Sequence, residues 1–200
     1  MFVWVTAGIV EAVSTLEVLL VRHGATEWSA AGRHTGITDL PLTPEGEAAA
    51  SALRDRLPAR PDLVLVSPRR RALDTCRLAG LGADAEVDDD LREWDYGAYE
   101  GLTTPQIRST RPDWDQWRDG CPDGETALRV GERADRVIAR LLASDAKVAV
   151  LFAHGHLLRV LGARWAELPP EAGAVLFLDP ATVSTLGWER ERRVIRRWNA

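Results

Sequence analysis

The sequence predicts an α/β domain of three layers, α/β/α, with a largely parallel central sheet, an irregular cap over the C-terminal strand edge and a C-terminal β-hairpin. Three observations predict it. Short apolar runs at 18–21, 63–66 and 147–153 alternate with segments of helical spacing, as in repeated strand-helix units. The runs are apolar nearly throughout, as in strands covered on both faces. Each run ends abruptly in a polar triplet: Arg22-His23-Gly24, Ser67-Pro68-Arg69 and His154-Gly155-His156.

Taken in order, residues 1–16 read as an N-terminal extension ahead of a single domain over 17–200. The opening is apolar, but it lacks the basic start of a signal peptide and Glu11 interrupts it. No run approaches the ~18 apolar residues of a membrane span. After the first strand, 25–42 is rich in Gly, Thr, Ser and His and reads as a long loop. Thr43-Pro44-Glu45 is an N-cap with proline at the first helical position, opening a helix to about Leu57 that Pro58 and Pro61 end. The second strand leads through Ser67-Pro68 into a helix carrying Arg69, Arg70, Arg71 and Thr75. From 84 to 124 the chain is acidic, aromatic and glycine-rich, with helical potential only near 105–110; such a stretch reads as a functional cap, about 88–124. Helical spacing resumes over 125–143 through Leu128, Val130, Ala134, Val137, Ile138 and Leu141. The third strand is followed by a helix to about Trp165, a fourth strand at 174–178, and a hairpin over 183–198 turning near Glu191-Arg192.

A net charge of −5 argues against bulk nucleic-acid binding, which needs a basic face. Of the 25 basic residues only Lys147 is lysine. Coding bias explains that excess, yet the planar fork of arginine suits phosphate and carboxylate. Cys76 and Cys121 have no ligand spacing and are too few for a disulfide scaffold, so reduced thiols in a cytoplasm are expected. A His-x-His pair can bind zinc, but no third ligand stands at a matching spacing and neighbouring arginines repel a cation. No metal is expected, and Asp88-Asp89-Asp90 reads as a solvated acidic turn.

In open α/β sheets, ligands bind outside the carboxyl ends of the strands, so the three polar triplets should meet in one crevice. All four histidines lie in strand-end loops or in the loop after the first strand. Arg22 and Arg71 offer fork-shaped donors, and helix N-termini add backbone N–H groups, a set suited to a tetrahedral dianion. A histidine held neutral among those cations keeps one ring nitrogen nucleophilic and can carry a phosphoryl group. The cations then stabilise charge on the equatorial oxygens. A leaving alkoxide needs a proton, and the apolar neighbours of Glu93, in Leu91-Arg92-Glu93-Trp94, are expected to keep one on its carboxyl.

These residues carry a resemblance. RHGATEW from Arg22, GRHTG from Gly32, LPLTPEG from Leu40, SPRRRALDT from Ser67, LREWDYGAYEG from Leu91, PDGET from Pro122 and HGH from His154 resemble, in order, the motifs of the histidine phosphatase superfamily. That group includes cofactor-dependent phosphoglycerate mutases and many small acid phosphatases. The resemblance implies that His23 is the phosphorylated nucleophile, with Arg22, Arg71 and His154 completing the phosphate pocket. It selects Arg71, which precedes the alanine of the RA pair, over Arg69 and Arg70. It implies Glu93 as general acid and the Gly155 amide as a phosphate donor. Two positions depart from the family pattern: Ser29 where many members have asparagine, and Thr35 where an amide side chain is common.

His156 reads equally as pocket wall or substrate contact, and His34 as a solvated loop residue. Trp114 and Trp117, three apart in the cap, together with Tyr99 are candidates for an aromatic wall on the leaving-group side, against ordinary packing of the cap. Trp4, Trp165, Trp188 and Trp198 read as packing residues. Family mutases have a longer insertion after the acid motif, which excludes water. Here only residues 94–124 separate Glu93 from Glu125. The expectation is therefore a phosphomonoester hydrolase for small phosphorylated metabolites, of broad acid phosphatase type, needing no cofactor. Mutase-type phosphotransfer, which would use 2,3-bisphosphoglycerate, is the alternative, and a non-catalytic phospho-ligand protein a third reading. The sequence leaves the oligomeric state open, a homodimer included, and points to no nucleic-acid or membrane partner.

Overall fold

The structure, a computed structural model, describes residues 16–200; nearly all of the predicted extension, with Trp4, lies outside the described residues. Its strands are β1 (Glu17–Arg22), β2 (Leu63–Val66), β3 (Glu86–Val87), β4 (Val148–Ala153), β5 (Val183–Glu189) and β6 (Arg192–Arg197). They form one six-stranded sheet in the order β3-β2-β4-β1-β5-β6. The first four are mutually parallel, and the β5–β6 hairpin joins antiparallel along the free edge of β1.

Alternation along the central strands splits the core into two layers. Val18, Leu20, Leu65, Ala149 and Leu151 face one cluster, and Leu19, Val21, Val64, Val66, Val150 and Phe152 face the other. Both sets are buried, which is why the strands read as unbroken apolar runs. The helices are α1 (Glu27–Ala30), α2 (Pro44–Ala52), α3 (Arg70–Leu78), α4 (Thr104–Thr110), α5 (Gln116–Asp119), α6 (Ala127–Leu142) and α7 (Gly155–Trp165). Residues of α6 and α7 fill the first cluster with the cap aromatics Trp94, Tyr96 and Trp114, while Ala72 and Cys76 of α3 pack into the second. Three layers result, as predicted.

The predicted strand at 174–178 is not one. Residues Pro170–Val175 form a 3₁₀ segment, and 176–178 run on without a strand partner. Two physical causes account for this. The free edge of β1 is taken by β5, from Val18 opposite Leu186 to Val21 opposite Val183, leaving no slot for another strand. The guanidinium of Arg159 claims the carbonyls of Gly173 and Ala174, at 2.9 and 2.8 Å, which a ladder would need. Val175 and Phe177 consequently stand 85% and 66% exposed. Within 25–42 the chain also makes the one-turn helix α1, closed by a capping box between Thr26 and Ser29.

Asp88 and Asp90 are not simply solvated either. Arg140 and Arg136 of α6 bind them at 2.8 and 2.6 Å, strapping this turn to the helix. No group of three or more metal-ligating side chains occurs among the described residues.

Candidate active site

The carboxyl ends of β1, β2 and β4 bring their polar triplets together. A cavity of about 180 Å³ opens there, lined among others by Arg22, His23, Glu93, Tyr96, His156 and Arg159. His23 is 4% exposed, and its Nδ1 lies 2.7 Å from the carbonyl oxygen of Gly24. A carbonyl can only accept, so Nδ1 carries the proton and Nε2 keeps a free lone pair. Burial first, then the charges of Arg71 and Arg22, push its pKa well below the usual 6.5.

Gly24 is itself fixed from behind. Its N–H donates to Thr75 Oγ1 at 3.0 Å, and that hydroxyl donates to the Arg71 carbonyl at 2.7 Å. A Cβ at Gly24 would meet the Gly46 carbonyl oxygen at 2.5 Å, so only glycine lets the loop pass this close to the start of α2. The motif glycine thus allows the packing that sets the tautomer of the histidine before it.

Arg71 is wholly buried. Its Nη1 donates to Thr38 O at 3.0 Å and its Nη2 to Thr35 O and Gly36 O at 3.0 and 3.1 Å, which leaves Nε buried without a partner among the described residues. Arg22 donates to the Leu178 carbonyl and lies against Gly155, where a Cβ would come within 3.3 Å of the guanidinium; its Nε is likewise unpartnered. His154, at the N-cap of α7, has Nε2 2.7 Å from Ser67 Oγ, and its buried Nδ1 has no partner either. Its ring centroid is 5.2 Å from that of His23. Arg22 Nε, Arg71 Nε and His154 Nδ1 thus stand without hydrogen-bond partners among the described residues around the neutral imidazole of His23, a set of polar atoms suited to an anion.

Glu93 differs from expectation. Its carboxylate sits on the N-terminus of α7, not in an apolar pocket. Oε1 accepts from Trp94 N and Leu157 N, both at 2.9 Å, and Oε2 from His156 N at 3.1 Å. Oε2, with a single N–H bond, is the oxygen left with capacity for a proton.

The remaining candidates divide. Ser29, Thr35, Gly155 and His156 line the cavity. The Ser29 hydroxyl is already engaged, donating to Thr26 O and accepting from Thr26 N, and the Thr35 hydroxyl donates to Arg33 O. Tyr99, Trp114 and Trp117 do not line the cavity; they back it. Trp114 is buried, gives its indole N–H to Gly120 O and packs edge-on to Tyr99 and His34, with centroids 5.2 and 5.6 Å away. Trp117 lies 5.4 Å from His156 and carries the Arg159 guanidinium 4.6 Å from its ring. The wall itself is Tyr96, His34 and Phe177. Tyr96 Oη is 2.7 Å from His156 Nδ1.

His34, expected in solvent, stacks on Tyr96 at 4.7 Å, and burial lowers its pKa to about 4. Arg69 is half-buried at the N-cap of α3 and lines a separate cavity of about 160 Å³ that also touches Glu93, whereas Arg70 is exposed. Sequence reasoning passed over Arg33, Tyr96, Arg159 and Phe177. For Arg159 a signal existed: it stands four residues after Gly155, so the helical period alone puts the two on one face of α7.

A crevice at parallel strand ends, with buried Arg71, half-buried Arg22 and a neutral histidine, defines an enzyme of the phosphomonoesterase class. Residues 18–200 match the histidine phosphatase superfamily (branch 1), and the chain belongs to that family. It is 46% identical to an acid phosphatase of Mycobacterium tuberculosis over 86% of either chain. It is 41% identical to a sedoheptulose 1,7-bisphosphatase of Saccharomyces cerevisiae over 76% of this chain and 68% of that one. The solved structure of an open reading frame product from Mycobacterium tuberculosis superposes with a TM-score of 0.85 at 42% identity, covering 92% of this chain and 97% of its own.

Proposed function

We propose that the protein hydrolyses small phosphorylated metabolites through a phosphohistidine on His23, as a broad-specificity phosphatase that works in acid as well as at neutral pH. The observation that carries the reading is the tautomer: the Gly24 carbonyl holds the proton on Nδ1 and leaves Nε2 free beside Arg22 and Arg71. Nε2 attacks phosphorus while the bond to the ester oxygen breaks. Glu93 Oε2 passes its proton to that oxygen, so the product leaves as an alcohol. The orphaned donors of Arg22 and Arg71 meet the charge spreading over the equatorial oxygens. Water then attacks the phosphohistidine, Glu93 takes a proton from it, and inorganic phosphate and free His23 are regenerated. A nucleophile whose pKa is held well below 6.5 stays unprotonated in acid, which supports the acid phosphatase reading. Two buried free cysteines suit the reducing cytoplasm proposed as its location.

Acid-labile phosphate should appear on the protein after quenching turnover of a phosphoryl donor, and His23→Ala should remove both that label and turnover, by at least about a thousandfold. Labelling that survives in the alanine variant overturns the assignment.

A further inference from the structure

We infer that Asn199, seconded by Trp198, is a positioning residue for Arg22: together they hold the peptide plane whose carbonyl aims that guanidinium at the phosphoryl group. The inference rests on the phosphatase reading above and concerns what keeps its phosphate end in shape.

The two arginines of that end are held unequally. Arg71 donates three hydrogen bonds to loop carbonyls, whereas the guanidinium of Arg22 makes one among the described residues, from Nη1 to Leu178 O. Strand β1 fixes the backbone of Arg22 but not the far end of so long a side chain. The direction of its unpartnered Nε therefore follows the direction of a single carbonyl. Leu178 belongs to a segment with no strand partner. Its buried side chain anchors it in the core, but that anchor does not set the tilt of the peptide planes on either side.

Both planes are caught by residues 198 and 199. The Leu178 carbonyl and the Asp179 N–H share one rigid trans peptide, so they point in opposite directions and turn together. That N–H donates to Asn199 Oδ1 at 2.7 Å, and Asn199 Nδ2 donates to Asp179 Oδ2 at 3.0 Å. Fixing the N–H fixes the carbonyl on which Arg22 depends. On the preceding plane, Trp198 Nε1 donates to Phe177 O. The indole also lies on α7, where a Cβ at Gly162 would come within 2.7 Å of it. Asn199 is anchored in turn, its N–H donating to Ser184 Oγ at 3.0 Å while Ala200 pairs with Val183 through both N–H and carbonyl. Val183 stands opposite Val21 of β1, the residue before Arg22. The φ of 54° at Asn199 is one that asparagine tolerates better than most side chains.

The test follows kcat, KM and inhibition by vanadate, whose five-coordinate form resembles the phosphoryl group in transfer. Asn199→Gly accepts the same φ and removes the side chain. It should raise the vanadate Ki and lower kcat/KM by about tenfold each, the size of one lost hydrogen bond. Trp198→Phe keeps a ring on α7 without the N–H and should cost severalfold. Asn199→Asp sets a carboxylate against Asp179 and should do at least as much harm as the glycine. The swapped pair D179N/N199D restores one amide facing one carboxylate and should recover most of the loss. A merely structural role would lower the folded fraction, and kcat with it, while leaving Ki and KM alone. An unchanged Ki in N199G, or a swapped pair no better than an impaired N199D, overturns the positioning role of Asn199, and an unchanged Ki in W198F overturns that of Trp198. A wild type that neither turns over nor takes up the phosphohistidine label overturns the phosphatase reading and the inference with it.

Discussion

The two ends of the cavity are built by different means. At the phosphate end, Arg22, His23 and His154 stand directly at the ends of β1 and β4, and Arg71 in the first turn of α3 is tied by three hydrogen bonds to loop carbonyls. At the mouth, Arg33, Phe177 and Tyr96 come from loops and 3₁₀ turns, and only Arg159 and His156 ride on a long helix. One end inherits its geometry from the sheet. The other is assembled from segments whose positions depend on a few side-chain bonds. Chemistry should therefore tolerate little change at the first end, while substrate preference should shift readily at the second.

Glu93 tests that division most severely, because it belongs to the cap yet is fixed to α7. Glu93→Gln should keep the bonds from Leu157 N and Trp94 N to its carbonyl oxygen while removing the proton donor. Turnover of alkyl phosphates should fall by about a hundredfold or more, with a much smaller loss on aryl phosphates whose leaving groups need no proton. Equal losses on both would place Glu93 with the binding groups and blur the distinction between the two ends.

Thr75 offers a second, smaller test from behind the phosphate end. It touches no substrate; it carries the hydrogen-bond path from Arg71 O to Gly24 N, and Gly24 O fixes the His23 tautomer. Thr75→Val keeps the volume and orphans the buried Gly24 N–H, at a cost of about 1–3 kcal/mol in stability. We expect kcat to fall about tenfold with KM little changed, the size of one lost hydrogen bond. Thr75→Ser should restore both. Imidazole 15N shifts would report the cause directly, since mere loosening of α3 leaves the His23 proton on Nδ1.

What the sequence makes legible follows the same line. The phosphate end is readable because unbroken apolar runs mark buried parallel strands, and polar triplets mark their ends. The hairpin is readable because its two strands are adjacent in sequence and pair with each other across a short turn. The mouth is not, because its conformation is set across long sequence distances. Residues 174–178 look like a strand until Arg159, fifteen residues earlier, takes the Ala174 carbonyl. His34 looks solvated until Tyr96 and Trp114 close over it. The setting of Glu93 is not legible for a related reason: its neighbours in sequence suggest an apolar pocket, whereas two of its three N–H partners belong to a helix that begins more than sixty residues later.

His34 also gives the finest test, because protonation should separate the ends by stability alone. Its pKa is about 4 in the folded chain, against the usual 6.5 when exposed on unfolding. Between those values the unfolded chain binds a proton that the folded chain does not. Its neutral form therefore contributes full stability above pH 6.5, and that contribution shrinks as the pH falls toward 4. His23, His154 and His156 are shifted in the same direction, with burial as the first cause in each, so the whole site destabilises with acid. Replacing His34 by Gln removes one of the four titrations. Urea unfolding of wild type and variant should then show the gap between them changing by roughly 2 kcal/mol between pH 7 and pH 5, with the wild type losing more. A gap that stays constant over this range would mean that His34 is solvated after all, and that the mouth is looser than its stacking geometry describes.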